Sequence, residues 1–255
     1  MILRILIMIN NSLKLTTKNI QDQNITSLPF SHFYMDKVFP EDLFNLIHNN
    51  WPDMDLFENG KVLGINIEAE RFYFKLNIDN IKNLSAEKRF FWEKIIKWLT
   101  SDELMVKLLD KYKGDLDFLP KKNLEDFYLN ILKPEINFNT SLVMDIGGYE
   151  LRPHADDPRV ILNLLFYLPF DEKGKELGTS IYIPKERNIP KSQNNNPIAR
   201  YPRDWFQLVK TFPYQPNSLF SFVRSDESFH GVEPSQNKNY TRRLMLLSLM
   251  FKNNS

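Results

Sequence analysis

Residues 149–170 read YELRPHADDPRVILNLLFYLPF, and this stretch decides how the second half of the chain is interpreted. A polar segment with one of only four histidines in the chain leads into an apolar run at 160–168. The run is short, is flanked by prolines and contains β-branched and aromatic residues, which predicts a strand. Because both of its faces are apolar, we expect the strand to be buried on both sides.

Comparable segments recur from about residue 136 to residue 251. They are short, β-branched or aromatic, and separated by Gly, Pro and Asn: FNTSLVMDIGGYELRPH, GTSIYIP, NSLFSFV and YTRRLMLLSLMF. This pattern predicts an antiparallel sandwich or barrel. One long interruption, 185–217, carries five prolines and an asparagine run. We interpret it as a long insert, either a lid that recognises substrate or an ordinary surface insertion.

The first half of the chain is mainly helical in pattern. Residues 39–52 and 85–114 predict amphipathic helices, with Ser85 and Ser101 as N-caps of two consecutive helices in the second segment. MILRILIMIN, at the start, is interpreted as an opening strand, and RFYFKLNI at 71–78 also alternates like a strand. The helices can cover the sheet, so we expect a single domain over 1–255, in which residues 1–135 support a β core at 136–251.

Composition limits the classes of partner and of chemistry. Thirty-three basic and 32 acidic residues leave a net charge of +1, so nucleic acid is not expected as a partner. The chain has no cysteine, which excludes disulfides and thiolate sites, so any metal must be held by nitrogen and oxygen. No segment approaches the roughly 20 apolar residues of a membrane span, and we expect a cytoplasmic protein with no membrane contact.

One spacing indicates a metal site. His154 and Asp156 lie two residues apart at the end of a predicted strand, so their side chains share a face. His230, which follows the strand NSLFSFV, is the best candidate for a third ligand. His48 ends a predicted helix and is expected to be solvated or to cap the helix dipole, and His32 is expected to pack or be exposed in an edge strand. Two histidines and one carboxylate form the facial triad of non-haem Fe(II) oxygenases.

At these residues the sequence resembles the iron(II)- and 2-oxoglutarate-dependent dioxygenases, particularly the branch similar to prolyl 4-hydroxylases. The resemblance covers roughly 136–251, and PFSHFYMDKVFPEDLFNLIHNNWP resembles the lead-in of that branch. It implies a mainly β fold with flanking helices (α+β), a double-stranded β-helix or jelly roll packed by N-terminal helices. It implies that His154, Asp156 and His230 are the catalytic metal ligands for Fe(II), with 2-oxoglutarate and O2 as co-substrates. It also admits ascorbate as an accessory reductant.

The resemblance further implies a basic residue that binds the far carboxylate of 2-oxoglutarate. Arg242 and Arg243 are the alternatives, and they point to opposite faces of one strand. Both faces are apolar, so periodicity does not choose between them; the family pattern matches Arg242, although Leu244 replaces the small residue expected there. Tyr167 is implied as a second contact to this carboxylate. Arg152 is a weaker candidate for a contact to substrate or co-substrate.

The implied reaction is hydroxylation of a small-molecule or peptidyl substrate, with release of succinate and CO2. Asp156 favours hydroxylation over halogenation, since halogenating relatives have a small residue in its place. Three alternatives stay open. A cupin-like metalloenzyme would use more histidines, a non-catalytic jelly-roll protein would have no iron affinity, and a nucleic-acid demethylase of the same superfamily is disfavoured by the charge balance.

Overall fold

The computed structural model of the chain describes residues 2–60, 70–186, 189, 200–235, 237 and 239–252. Within this part of the chain the strands form two antiparallel sheets, one of seven strands and one of four. The strands are β1 (His32–Asp36), β2 (Glu58–Asn59), β3 (Glu70–Lys75), β4 (Ile136–Ile146), β5 (Leu151–His154), β6 (Val160–Tyr167), β7 (Ser180–Pro184), β8 (Phe206–Thr211), β9 (Ser218–Val223), β10 (His230–Val232) and β11 (Arg242–Phe251).

Helices precede the long strands. The α-helices are α1 (Ile2–Asp22), α2 (Glu41–Asn49), α3 (Ile78–Ile81), α4 (Ala86–Leu99), α5 (Asp102–Lys111) and α6 (Leu124–Phe127). Short 3-10 segments lie at Met54–Leu56, Lys133–Glu135, Lys175–Leu177 and Arg203–Trp205, with a π-helical turn at Tyr128–Leu132. None of the helices formed by described residues is long and apolar enough to cross a bilayer.

The strand order is that of a jelly roll. The order β9-β6-β11-β4 forms the middle of the seven-stranded sheet, and β5-β10-β7-β8 is the four-stranded sheet. Along the chain the strands from β4 onward therefore cross repeatedly from one sheet to the other, as in a double-sheet jelly roll. The prediction of a mainly β jelly roll with flanking helices is confirmed.

The two faces of the large sheet have different partners, which explains why its strands are apolar on both sides. Along β11, Leu244 and Leu246 face the space between the sheets, whereas Met245 and Leu247 belong to a core shared with the helices. On the helical side, the indole N–H of Trp98 in α4 donates to Thr17 of α1 at 2.9 Å. The helices thus cover the outer face of the sheet, as expected from the sequence.

The predicted caps of α4 and α5 are confirmed. The Ser85 hydroxyl accepts the backbone N–H of Lys88, and the Ser101 hydroxyl accepts that of Leu104. These bonds satisfy amide groups that the first turn of each helix leaves without a partner.

The prediction of an opening strand at 1–10 is wrong. Residues from Ile2 onward form α1, which buries Ile9, Leu13 and Ile20 on one face. That spacing is helical, but it continues well beyond the ten residues from which the strand was predicted. The helical spacing of the apolar residues can be recognised only when a stretch longer than these ten residues is considered.

The interpretation of 185–217 as one long loop is also wrong in part. Residues Phe206–Thr211 form β8, which pairs with β7 at the edge of the smaller sheet. Most of its side chains are exposed, so the strand lacks the apolar pattern by which the others were found. The part of the lid prediction that concerns 187, 188 and 190–199 lies outside the described residues.

His48 is not the solvated or helix-capping residue that its position predicts. Both ring nitrogens are buried, and neither has a hydrogen-bond partner in the part of the chain that the structure describes. The ring packs on Phe44 and Phe170, with centroids 4.6 and 4.4 Å away. Burial, aided by the positive charge of Arg243, lowers the pKa of His48 to about 4. The folded protein therefore holds this imidazole neutral at neutral pH.

This burial predicts a contribution of His48 to acid unfolding. The pKa in the folded state lies below the unfolded value of about 6.5, so the unfolded state gains the proton first and stability falls as the pH drops from about 6.5 to about 4. In His48→Leu the thermal midpoint is expected to fall less steeply over this range. Asn49→Ala, at an exposed neighbouring position, serves as the control and should keep the parent slope. Identical slopes in His48→Leu and the parent would contradict the assignment.

Candidate metal centre

The three residues of the predicted triad meet at one place. His230 of β10 lies directly opposite His154 of β5 in the register of these paired strands, and the ring centroids are 4.3 Å apart. The Nε2 atoms of His154 and His230 lie 3.5 and 3.6 Å from the two carboxylate oxygens of Asp156. One ligand atom from each residue lies within 4.8 Å of the others, an arrangement that can hold a metal ion.

Hydrogen bonds to the backbone orient both imidazoles. Nδ1 of His154 lies 3.0 Å from the carbonyl oxygen of Arg152, and Nδ1 of His230 lies 3.0 Å from that of Ser228. A carbonyl oxygen can only accept, so Nδ1 carries the proton and Nε2 keeps its lone pair. Both lone pairs are therefore available to a metal beside Asp156.

The protonation states suit a metal as well. Burial lowers the pKa of His230 to about 4, against the opposing effect of the Asp156 charge. Burial by itself raises the pKa of Asp156, but the neighbouring His230 and His154 and a hydrogen bond from Asn163 outweigh it, and the pKa is lowered to about 2. At neutral pH the site therefore presents a neutral imidazole from His230 beside a carboxylate, the forms that bind metal ions.

A chain of side chains fixes the carboxylate. Asn163 of β6 donates from Nδ2 to Oδ2 of Asp156 at 2.8 Å, and Ser248 of β11 donates to Oδ1 of Asn163 at 2.5 Å. Asn163 and Ser248 are opposite each other in the register of these strands. Asn163 is the only amide side chain in the run VILNLLFYL, and this was the available sequence signal for a role that was not predicted.

The metal centre lies on the wall of a cavity between the two sheets. Its volume is about 330 Å³, at the low end of the range typical of small-molecule sites. The wall has polar and apolar parts. Its lining includes Arg71, Tyr149, His154, Asp156, Asp157, Asn163, Thr179, Arg200, His230, Arg242, Leu244 and Leu246.

A buried charge cluster lies on the same cavity wall. Arg242 donates to the carbonyl oxygen of Leu177 at 2.7 Å and to Oδ2 of Asp145 at 2.8 Å. Arg71 of β3 also pairs with both oxygens of Asp145, at 2.5 and 2.9 Å. Burial acts to lower the pKa of Arg71, but Asp145 and the nearby tyrosines outweigh it and raise it, so this guanidinium stays charged. Two guanidiniums share one carboxylate, which leaves one net positive charge.

The two arginines that the sequence left as alternatives have different surroundings. Arg242 is 2% exposed and lines the cavity. Arg243 lies on the other face of β11, where its guanidinium is 4.1 Å from the ring centre of Phe170. Arg152 is exposed and is not among the residues that line the cavity.

Tyr167 packs its ring beside Arg242, with the guanidinium carbon 5.7 Å from the ring centre. Its hydroxyl donates to Thr179 Oγ1 at 2.5 Å and accepts the Thr179 backbone N–H at 3.0 Å. Tyr167 thus positions Thr179, which lines the cavity. The Tyr167 hydroxyl is itself occupied by these two hydrogen bonds to Thr179.

Arg71, Asp145 and Tyr149 belong to the site but were not predicted from the sequence. The hydroxyl of Tyr149 is buried and has no hydrogen-bond partner among the described residues, and the Arg71 guanidinium lies 4.1 Å from the Tyr149 ring centre. An aspartate within the apolar strand SLVMDI was a signal for Asp145. Nothing in the sequence indicated Arg71, because it comes from a separate strand of the support region.

The other two histidines lie outside the triad. His32 is buried in β1 at the edge of the large sheet, where Nδ1 lies 2.7 Å from the carbonyl oxygen of Phe30. Its ring packs against Phe212 and Phe220. The expectation of ordinary packing in an edge strand is therefore confirmed for His32.

Comparison with known proteins gives structural similarity without sequence matches. No protein-family model and no curated protein matches the chain. A Pseudomonas putida prolyl-4-hydroxylase is similar over 94% of this chain and 99% of its own, with 13% identity and a TM-score of 0.49. HygX from Streptomyces hygroscopicus, solved with nickel, 2-oxoglutarate and hygromycin B, is similar over 87% and 83%, with 6% identity and a TM-score of 0.48.

A third structure, EvdO2 from Micromonospora carbonacea var. aurantiaca complexed with 2-oxoglutarate, covers 87% of this chain and 86% of its own. Its sequence identity is 14% and its TM-score is 0.45. Each of these similarities is one of overall fold only.

Asn163 is expected to contribute to metal affinity through Asp156. Removal of such a hydrogen-bonding partner typically weakens metal binding by about 10- to 100-fold. We expect a loss of that size in Asn163→Ala, measured by competitive titration of Zn(II) against a chelator. Asn139→Ala is the matched control, since Asn139 lines the same cavity and makes no hydrogen bond to the triad within the described residues. Equal affinities in the two variants would contradict this role.

Proposed function

We propose that the chain is an Fe(II)- and 2-oxoglutarate-dependent dioxygenase that hydroxylates a small-molecule or peptidyl substrate, with release of succinate and CO2. The observation that supports it best is the triad, in which two oriented imidazoles and one carboxylate face a common point on a cavity wall. We also propose a single domain over residues 1–255, supported by a hydrophobic core that extends from Ile9 to Leu249.

The donor set fits iron. His154 and His230 supply two neutral nitrogen ligands and Asp156 one oxygen ligand, the combination found in non-haem Fe(II) oxygenases. Bound iron, with 2-oxoglutarate and O2, supplies the oxidant for a C–H bond of the substrate. The three side chains would hold the ion, and Asn163 keeps the Asp156 carboxylate in place.

The buried cluster supplies a site for the far carboxylate of 2-oxoglutarate. Arg242 presents a planar guanidinium, which suits a carboxylate. Arg71 adds a second guanidinium and Asp145 cancels one of the two charges. The remaining positive charge matches one carboxylate, and the unpartnered hydroxyl of Tyr149 offers a hydrogen bond.

Part of the cavity wall is apolar. Leu244 and Leu246 contribute the inner face of β11 there. An apolar wall keeps bulk water away from the reacting atoms and strengthens the electrostatic contacts at both ends. Leu244 and Leu246 would therefore help to exclude water from this part of the cavity.

Metal and co-substrate binding can be tested together by anaerobic addition of Fe(II) and 2-oxoglutarate to the apoprotein. We expect a weak visible metal-to-ligand charge-transfer band, because 2-oxoglutarate must chelate iron held by the triad. His154→Ala and His230→Ala each remove one ligand and should abolish the band. His48→Leu, which removes a histidine outside the cavity, should keep it. Absence of the band in the parent would favour a jelly-roll protein that does not use 2-oxoglutarate.

Variants of Arg242 and Arg243 provide a matched test of which arginine binds the far carboxylate of 2-oxoglutarate. Arg242→Ala should weaken 2-oxoglutarate binding by about tenfold or more, since a hydrogen bond to a charged group contributes about 1.5–3 kcal/mol. Binding of Fe(II) alone should be unchanged. Arg243→Ala removes a guanidinium that packs on Phe170 and should leave 2-oxoglutarate affinity as in the parent. If Arg242→Ala binds 2-oxoglutarate as tightly as the parent, Arg242 serves only as a structural ion-pair partner of Asp145.

A further inference from the structure

A third arginine lies at the cavity wall. Arg200 lines the cavity together with the three triad residues. Its position is tied to the first ligand strand, because the backbone N–H of Tyr201 donates to the carbonyl oxygen of Pro153 at 2.9 Å, one residue before His154. The Tyr201 ring also packs on Phe229, which precedes His230 in sequence, with centroids 6.0 Å apart. Arg200 is therefore held next to the metal centre.

Within the described part of the chain, Arg200 has no hydrogen-bond or ion-pair partner, unlike the arginines around it. Its Nε is buried without a hydrogen bond, and no carboxylate of the described residues forms an ion pair with it. By contrast, Arg203 donates to the carbonyl oxygen of Val232 at 2.9 Å, and Arg224 pairs with Asp226 at 2.8 Å. An unpaired guanidinium in a half-buried position is costly unless a ligand compensates it.

The charges around the cavity indicate which kind of ligand would compensate Arg200. On the proposed function, the divalent iron and Asp156 leave one positive charge, and the cluster of Arg71, Arg242 and Asp145 leaves another. The two charges of 2-oxoglutarate balance both. Asp157, the remaining carboxylate on the wall, is engaged by Arg159 at 2.6 Å. Among the described residues, the charge of Arg200 is then left without a counter-charge in the loaded site.

We propose that Arg200 binds an oxyanionic group, a carboxylate or a phosphate, of the primary substrate. The planar guanidinium recognises both groups through paired hydrogen bonds. A cavity of about 330 Å³ that must also admit 2-oxoglutarate leaves room for a small molecule. The substrate class is thus a small organic anion, oriented by Arg200 with its reacting C–H bond toward the triad. This inference rests on the proposed function.

Calorimetric titration of the full chain, loaded with redox-inert Zn(II) and saturated with 2-oxoglutarate, tests the inference. The probes are benzoate and phenyl phosphate, each matched by a neutral compound, benzamide and benzyl alcohol. The parent should bind at least one anion and neither neutral probe, and the two anions distinguish carboxylate from phosphate recognition. Arg200→Gln should weaken anion binding by about tenfold or more, the loss expected for a charged hydrogen-bonded pair. Its 2-oxoglutarate affinity and thermal midpoint should stay unchanged.

Arg152→Gln is the matched control, because Arg152 is an exposed arginine two residues before His154 and outside the cavity wall. It should keep parent anion affinity. Three results would overturn the inference: no anion binding to the parent at millimolar concentrations, equal binding of the neutral probes, or parent-like anion affinity in Arg200→Gln. If 2-oxoglutarate itself fails to bind, the proposed function is wrong, and the same comparison of Arg200→Gln with Arg152→Gln on the metal-free chain still decides the role of Arg200.

Discussion

The pairing of β10 with β5 is the constraint on which the whole site depends. His230 and His154 are opposite residues of this pair, so a slip of one residue would turn one imidazole to the other face of the sheet. Gly231 makes the close approach of the strands possible, because a Cβ atom there would lie 2.4 Å from the carbonyl oxygen of Leu151. The glycine beside the distal histidine is therefore a packing requirement of the metal centre.

The rest of the cavity is organised by electrostatics. Asp145, Arg71 and Arg242 lie side by side across β4, β3 and β11 and are removed from water together. Such a cluster contributes little net stability, since desolvation offsets much of the Coulomb attraction. Its excess positive charge is instead useful to an anionic ligand. The support region is thus part of the proposed binding site, because Arg71 comes from it.

Much of the fold was predictable because its strands carry local signals. The apolar run that became β6 and the serine caps of α4 and α5 were identified from residue type and spacing alone. The errors have local causes too. The α1 helix was missed because ten residues are too few to separate a helical from a strand pattern, and β8 was missed because an edge strand exposes most of its side chains.

The sequence by itself indicated the ligand types and the pair His154 and Asp156, because their spacing of two residues keeps the two side chains close together. The reason it gave was only partly right, since β5 ends at His154 and Asp156 lies in the segment that follows the strand. Only the tertiary structure decided that His230 completes the triad, that Arg242 and not Arg243 faces the cavity, and that Arg71 joins Arg242 at Asp145. These are relations between strands far apart in sequence. They depend on register and on which face each sheet turns to its partner, and both are set by packing across the whole molecule.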